Sequence, residues 1–354
     1  MKPIKILVNI PNPGDGTALY RFNEPFIHLS KEEDLDIQFA VFTSVDRNWW
    51  GFYDIAFFQR PASEHEVEMI KYCVKIGLPV WVDYDDLLID IPTSNIVYHA
   101  YVNSNLYVRD CVNLATVVTV TTEHLKDKLI ERYPSAINKI QVVPNHWNDY
   151  KIVNKPELRK EKSFLYRGSI THLADIYIYK DYLPVFYINK LDDRRRAETI
   201  KYNYFGINPF FLEMPYDYIL PVPLDDYFEA YNKIESMFGL ILLEPIDFNL
   251  SKSNISLLEA VSHGRIPISP NFLDGINCMG PTTSSIYKHR EHLSSTIITL
   301  LNTSIEELEK LYDEYWKFIQ SYKLSLINLK RLAIIKTIVK RNKQNKKRLE
   351  EEEE

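Results

Sequence analysis

At 354 residues, 45% of them hydrophobic, and with a net charge of −6, the chain is too long for one ordinary core and too acidic for a generic nucleic-acid coat. No apolar run reaches the length of a bilayer span, and Met1-Lys2-Pro3 leads into an apolar run that does not read as a secretory leader. Cys73, Cys111 and Cys278 are scattered and odd in number, which fits buried thiols in a cytoplasmic protein better than a disulfide framework or a zinc site.

The first half alternates short apolar runs with helix-like stretches. Strands are predicted over 4–10, 37–42, 55–59, 79–83, 117–121 and 140–143, with helices over 18–30, 64–76 and 123–133. Strands apolar on both faces and alternating with helices indicate a parallel, doubly wound sheet. After Val143-Pro144-Asn145 the composition turns polar through 147–162, and then the pattern restarts. Strands are predicted over 163–166, 185–188, 239–243 and 265–269, with helices over 172–183, 224–235 and 253–263; beyond Ser285 the chain reads as purely helical. The expected architecture is therefore α/β, with two Rossmann-like domains at 1–147 and 163–310 joined by a linker at 148–162. Helices follow at 311–340 and a charged, frayed tail at 341–354, where Lys and Arg crowd 336–348 ahead of Glu350–Glu354. Two such domains bind ligands at the carboxyl ends of their strands.

Residues 248–270 are the most informative. A strand ends, a polar loop follows, and a helix is expected to begin near Ser253, a good N-cap type. Its first-turn N–H groups and positive dipole end suit a diphosphate, and Lys252 beside them can supply a point charge. Glu259 lies about 9 Å further along the helix, roughly the span from a nucleotide's phosphates to its ribose. On these residues alone, a plain capped helix with an exposed lysine is an equal reading.

Other clusters sit at strand ends. Gly14 and Gly16 follow the first strand in a βα turn that lets a ligand approach backbone closely, and Tyr20-Arg21 comes next. Asp83, Asp85 and Asp86 crowd the end of another strand. They suit a metal, an acceptor or general-base role, or loop capping. Tyr166-Arg167-Gly168-Ser169, with His172 and Asp175 behind, closes the first strand of the second half.

The pattern strand, Phe248-Asn249-x-x-Lys252-Ser253, helix with Glu259-Ala260, Gly264, strand resembles the donor-binding motif of GT-B glycosyltransferases, closest to the family 4-like, group 1 enzymes and their short phage and bacterial members. Asp83-x-Asp85-Asp86-Leu87 with Ile91-Pro92, the Tyr20-Arg21 pair and Gln141-Val142-Val143-Pro144-Asn145 extend the resemblance over most of the chain. It implies a hexosyltransferase using a nucleoside diphosphate sugar, foremost a UDP-sugar, with retention, no prosthetic group and no metal site. Ser253, Asn254, Gly168, Ser169, Gly14 and Gly16 would serve the donor, with Glu259 on its ribose. Arg167 and Lys252 would offset leaving-group charge, with Asp85 as the third catalytic candidate, and Arg21, Asp83, Asp86 and His172 would line the cleft. Ser251 stands where many relatives carry a Glu that contacts the sugar, so no particular sugar is implied. The acceptor side admits a glycan, polymer or small molecule, or hydroxymethylated bases in nucleic acid as in some phage enzymes. A non-catalytic nucleotide-sugar-binding protein is the further alternative. A basic amphipathic stretch at 324–339 also allows peripheral membrane contact, although the terminal helix around 312–322 is expected to pack back on the first domain.

Overall fold

The computed structural model of the protein describes residues 3–31, 36–271 and 285–353; Cys278 and Glu354 lie outside them. In the first half the elements are β1 (Ile4–Asn9), α1 (Gly16–Ala18), α2 (Glu24–Leu29), β2 (Ile37–Val41), β3 (Ile55–Gln59), α3 (Glu64–Lys75) and β4 (Val80–Tyr84). They are followed by α4 (Tyr98–Tyr101), α5 (Ser104–Leu114), β5 (Val117–Val120), α6 (Glu123–Arg132) and β6 (Ile140–Val142). The second half runs β7 (Glu161–Arg167), α7 (Leu173–Tyr179), β8 (Phe186–Ile188), β9 (Ala197–Thr199), β10 (Tyr202–Phe205), β11 (Asp217–Ile219), α8 (Leu224–Lys233) and β12 (Ser236–Leu240). It ends with α9 (Asp247–Leu250), α10 (Ile255–Ser262), β13 (Ile266–Pro270), β14 (Ile286–Tyr287), α11 (Arg290–Leu301), α12 (Ile305–Ile319) and α13 (Leu324–Glu353). Among the described residues no helix is long and apolar enough to cross a membrane.

The chain divides into two compact units, one of Met1–Ile91, His99–Asn145 and Leu324–Glu354, the other of Pro92–Tyr98 and His146–Lys323. The first carries a parallel six-stranded sheet in the order β2-β1-β3-β4-β5-β6, the second a parallel six-stranded sheet in the order β11-β10-β7-β12-β13-β14.

In the first unit β3 and β4 are buried along their whole length, as strands covered on both faces must be. Ile6, Val8, Phe57 and Trp81 pack with Ile327, Ile334, Ile335 and Ile338 of α13, so the last helix completes this core. Its Asn328 amide donates to the Pro25 carbonyl at 2.9 Å. In the second unit Phe164 of β7 stacks between Phe238 and Tyr202 at 5.1 and 5.4 Å. Leu257, Leu258 and Val261 of α10 and Leu308, Tyr312 and Tyr315 of α12 join the same core.

Several expectations are corrected. The helix expected over 18–30 is broken by a π turn at Leu19–Asn23. Pro25 has no N–H for the next α-helical bond, and the Glu24 N–H reaches Leu19 O instead. The strand expected over 185–188 is β8, which pairs antiparallel with β9 outside the main sheet. Its place beside β7 belongs to β10, a segment rich in Tyr. β12 begins three residues earlier than expected, and β14 interrupts the segment read as purely helical. The helix near Ser253 starts later, at Ile255, with Asn254 as N-cap. Helix α12 and residues 320–323 stay in the second unit, so the chain rejoins the first only at Leu324, not at 312. α13 then continues as helix through Glu353, across the segment expected to fray.

Gly264 ends α10 with φ +79°, and a Cβ there would lie 2.3 Å from Glu157 O; Gly77 has φ +71° but open space around it. Gly77→Ala should therefore cost only left-handed strain, about 1–2 kcal/mol. Gly264→Ala adds a backbone collision and should cost clearly more, about 3 kcal/mol or above. Chemical denaturation of the two variants checks this, and equal losses would refute it.

Candidate active site

The carboxyl end of the second sheet gathers most of the sequence-derived candidates. β7 delivers Arg167, whose Nε lies 2.6 Å from Glu259 Oε2 on α10. Tyr227 of α8 donates to the same oxygen at 3.1 Å. Burial, and then the Glu259 charge, raise the Tyr227 pKa, which keeps this hydroxyl a donor. Glu259 is thus a buried carboxylate with one cation and one hydroxyl on it, five residues into a helix otherwise packed with Leu257, Leu258 and Val261.

Beyond Arg167 the chain turns through Gly168 and Ser169 into a short 3-10 turn at Ile170–His172. A Cβ on Gly168 would stand 3.1 Å from the Tyr166 ring and 3.6 Å from the His172 ring, so glycine lets both rings close on the turn. His172 Nδ1 lies 3.0 Å from Asp175 Oδ2. Asp175 Oδ1 accepts from the Glu244 N–H at 3.1 Å and from the Asn249 side-chain amide at 2.8 Å. One carboxylate therefore fixes the His172 turn to the loop that follows β12. Asn249 also donates to Glu244 O at 3.0 Å. Pro92, Ser94 and Asn95, which belong to this unit, line a small pocket with Asp175, Glu244 and Phe248.

The loop then forms α9, where Ser251 Oγ donates to Asp247 O, and Lys252 sets its ammonium 4.5 Å from the centre of the Phe248 ring. Asn254, 1% exposed, caps α10 without a side-chain cap bond, and among the described residues its buried amide nitrogen has no hydrogen-bond partner. The next N–H groups, of Ile255 and Ser256, belong to the first turn and have no intrahelical acceptor. Gly239 of β12 lets α10 approach closely, since a Cβ there would lie 2.8 Å from the Ala260 Cβ. The arrangement is a helix N-terminus with an orphan buried donor, a lysine beside it, and an Arg–Glu pair further along. Such a set can bind a dianion at one end and accept from hydroxyl groups at the other.

In the first unit the candidates are bound into two ion-pair clusters. Arg21 is buried, and its guanidinium is engaged on three sides. It pairs with both Asp83 oxygens at 2.9 and 2.6 Å and donates to Val143 O at 2.7 Å and Asn145 Oδ1 at 3.1 Å. This corrects the expected cleft cation: a fully engaged arginine joins the first βα turn to β4 and the end of β6. Thr119 adds a hydroxyl bond to Asp83. Asp85 and Asp86 share Arg60, a residue with φ +50° that sequence reasoning passed over. Burial raises the Asp85 pKa, Arg60 pulls it back and the Asp86 charge raises it again, with a net upward shift. The three aspartates split between two arginines, Asp83 on Arg21 and Asp85 with Asp86 on Arg60. Among the described residues no three His, Cys, Asp or Glu side chains converge on a cation position. Gly14 donates its N–H to Asn12 Oδ1, and Asp15 caps α1 through the Ala18 N–H, so the glycine turn after β1 is built from its own side chains.

Arg331 of α13, also missed from sequence, is buried beside this cluster. Burial, with Arg21 adding and Asp83 opposing, pushes its pKa down to about 9. Arg331→Met should then be neutral to about 2 kcal/mol stabilising at pH 7. Above pH 9 the folded wild type sheds a proton that the unfolded chain keeps, so wild-type stability gains and the variant's advantage shrinks. Denaturation at pH 7 and pH 10 tests both statements, and a variant markedly weaker at pH 7 would contradict them.

No family model and no curated protein matches this chain. Solved structures do. Anabaena HepE in complex with UDP and glucose aligns at a TM-score of 0.63 and 10% identity, over 94% of this chain and 100% of that one. A glycosyltransferase from Rickettsia africae aligns at 0.62 and 14%, over 96% and 100%. A UDP-forming α,α-trehalose-phosphate synthase from Burkholderia vietnamiensis aligns at 0.58 and 9%, over 95% and 100%. At these identities the likeness shows the fold, which is the two-sheet GT-B architecture.

Proposed function

We propose that this chain is a hexosyltransferase that moves a sugar from a nucleoside diphosphate, foremost UDP, to an acceptor hydroxyl, with retention and without a metal on the donor. The observation that carries the reading is the buried Asn254 amide without a partner at the N-terminus of α10. A buried donor left unpaired costs about 1–3 kcal/mol, and a phosphate oxygen placed there would relieve it. The UDP complexes of HepE, on the same fold, support the choice of nucleotide.

In this reading Ser253, Asn254 and the first turn of α10 hold the diphosphate, and the Gly168-Ser169 turn lies on the donor side of the site. As the bond between sugar and phosphate breaks, negative charge grows on the departing oxygen. Lys252, the helix N-terminus and Arg167 offset that charge, and they are already oriented before it appears. Arg167 is held by Glu259, so it meets the leaving group as a fixed cation. Glu259 in turn accepts from the ribose hydroxyls. His172, anchored by Asp175, shapes the wall of the donor pocket. Asp85 is the carboxylate we assign to the acceptor hydroxyl, and the acceptor attacks on the face the nucleotide leaves.

UDP at about a hundred times its dissociation constant should stabilise the folded chain by about 2.7 kcal/mol, read as a rise in melting temperature. Lys252→Ala and Arg167→Ala should each lower UDP-glucose turnover roughly a hundredfold or more while the variants still melt cooperatively. A wild-type melting temperature indifferent to UDP, or near-normal turnover in both folded variants, would sink the proposal.

A further inference from the structure

The β8–β9 hairpin has no part in the site described above. It lies at the opposite end of the second sheet. β7 ends at Arg167 on the site side, α7 carries the chain back, and the hairpin precedes the amino end of β10. Its inner face is tied down, with Tyr187 in the core and its hydroxyl, together with the Asn189 amide, donating to Glu198 at 2.8 Å each. The Lys190 N–H donates to Asn302 Oδ1 at 2.6 Å, anchoring the hairpin beside the end of α11.

The outer face is of the opposite kind. Phe186, Ile188 and Leu191 are 61%, 49% and 54% exposed. Phe186 and Ile188 point the same way because they alternate with Tyr187 along the strand. At the tip Lys190, Arg194, Arg195 and Arg196 are all exposed, four cations against Asp192 and Asp193, in a chain whose overall charge is −6. The tip is built rather than loose. Asn189 Oδ1 accepts from the Leu191 and Asp192 N–H groups, Asp192 Oδ1 accepts from the Arg194 N–H, and the Arg195 N–H bonds to Asp192 O. Arg195 is held at φ +46°, a conformation arginine rarely takes, within three consecutive exposed arginines.

We propose that this hairpin docks the protein on an anionic lipid bilayer, with Phe186, Ile188 and Leu191 entering the interface and the arginines engaging lipid phosphates. Charge complementarity and the apolar face together select this occupant. A nucleic-acid backbone would satisfy the arginines but leave three apolar side chains in water. A second copy of the chain would bring two positive tips together. A bilayer interface takes both features at once. The inference does not depend on the proposed transferase activity.

Flotation of the full-length protein with vesicles tests it. Binding is expected to phosphatidylcholine vesicles containing 40% phosphatidylglycerol, and not to pure phosphatidylcholine, at low salt. Partitioning should fall roughly tenfold or more in the Arg194→Gln/Arg195→Gln/Arg196→Gln variant and comparably in Phe186→Ser/Ile188→Ser. Both variants should melt cooperatively near the wild-type temperature, which confirms folding whether or not UDP binds and so separates this proposal from the function proposed above. As a second readout, a Phe186→Trp variant should show a blue-shifted emission on the anionic vesicles. No flotation of wild type, equal binding to neutral vesicles, unaltered binding in both sets of variants, or retention on soluble polyanions alone would each overturn the assignment.

Discussion

The second unit depends on a carboxylate that never needs to touch a ligand. Asp175 receives the Glu244 N–H and the Asn249 amide on one oxygen and faces His172 on the other. The chain after β12 has left the sheet ladder by then, and an irregular loop must find partners for its polar groups or remain in water. With Asp175 in place the loop is fixed to the start of α7, and α9 and then α10 follow from it. The close approach of Gly239 to Ala260 sets the depth of the same helix against the sheet. Placement of the anion-binding end is therefore decided by hydrogen bonds and packing behind it, which is the usual way a rigid site is built.

The two units use arginine differently. In the first, Arg21 and Arg60 bind carboxylates and close the carboxyl end of the sheet with ion pairs, while Arg331 carries a charge into a core position with little compensation. In the second, Arg265 is buried without a carboxylate and donates to the Tyr231 and Ile234 carbonyls at 2.7 and 2.6 Å, where α8 ends. It neutralises the negative end of a helix. Arg167 instead pairs with the buried Glu259 carboxylate while keeping part of its own side chain exposed.

Much of this was legible in the sequence because it is local. β3 is bounded by its own apolar run, Glu64–Lys75 by a Ser63–Glu66 capping box, and the loop from Phe248 to Ser253 by a spacing that survives any packing detail. What escaped is non-local or short. Tyr202–Phe205 and Asp217–Ile219 are four- and three-residue strands amid polar turns, and only pairing, of the first with β7 and of the second with the first, makes them strands. Arg21 reads as a cleft cation until Asp83, sixty-two residues away, is brought against it. Ser253 and Asn254 are equally good capping types, so one residue of helix start could not be chosen from composition. Arg60 gave no signal, because its role rests on a left-handed backbone that no pattern announces.

The return of α13 to the first unit has a consequence for how the protein comes into being. Four isoleucines of that unit's core, Ile327, Ile334, Ile335 and Ile338, belong to the last thirty residues of the chain. On a ribosome, which releases the chain from its amino end, the first sheet must emerge and wait with one face of its core uncovered. The second unit, apart from Pro92–Tyr98, is contiguous and can close as soon as Lys323 clears the exit. The part translated first is thus the part finished last, and a nascent chain stalled before Leu324 presents an apolar sheet face to whatever chaperone is at hand.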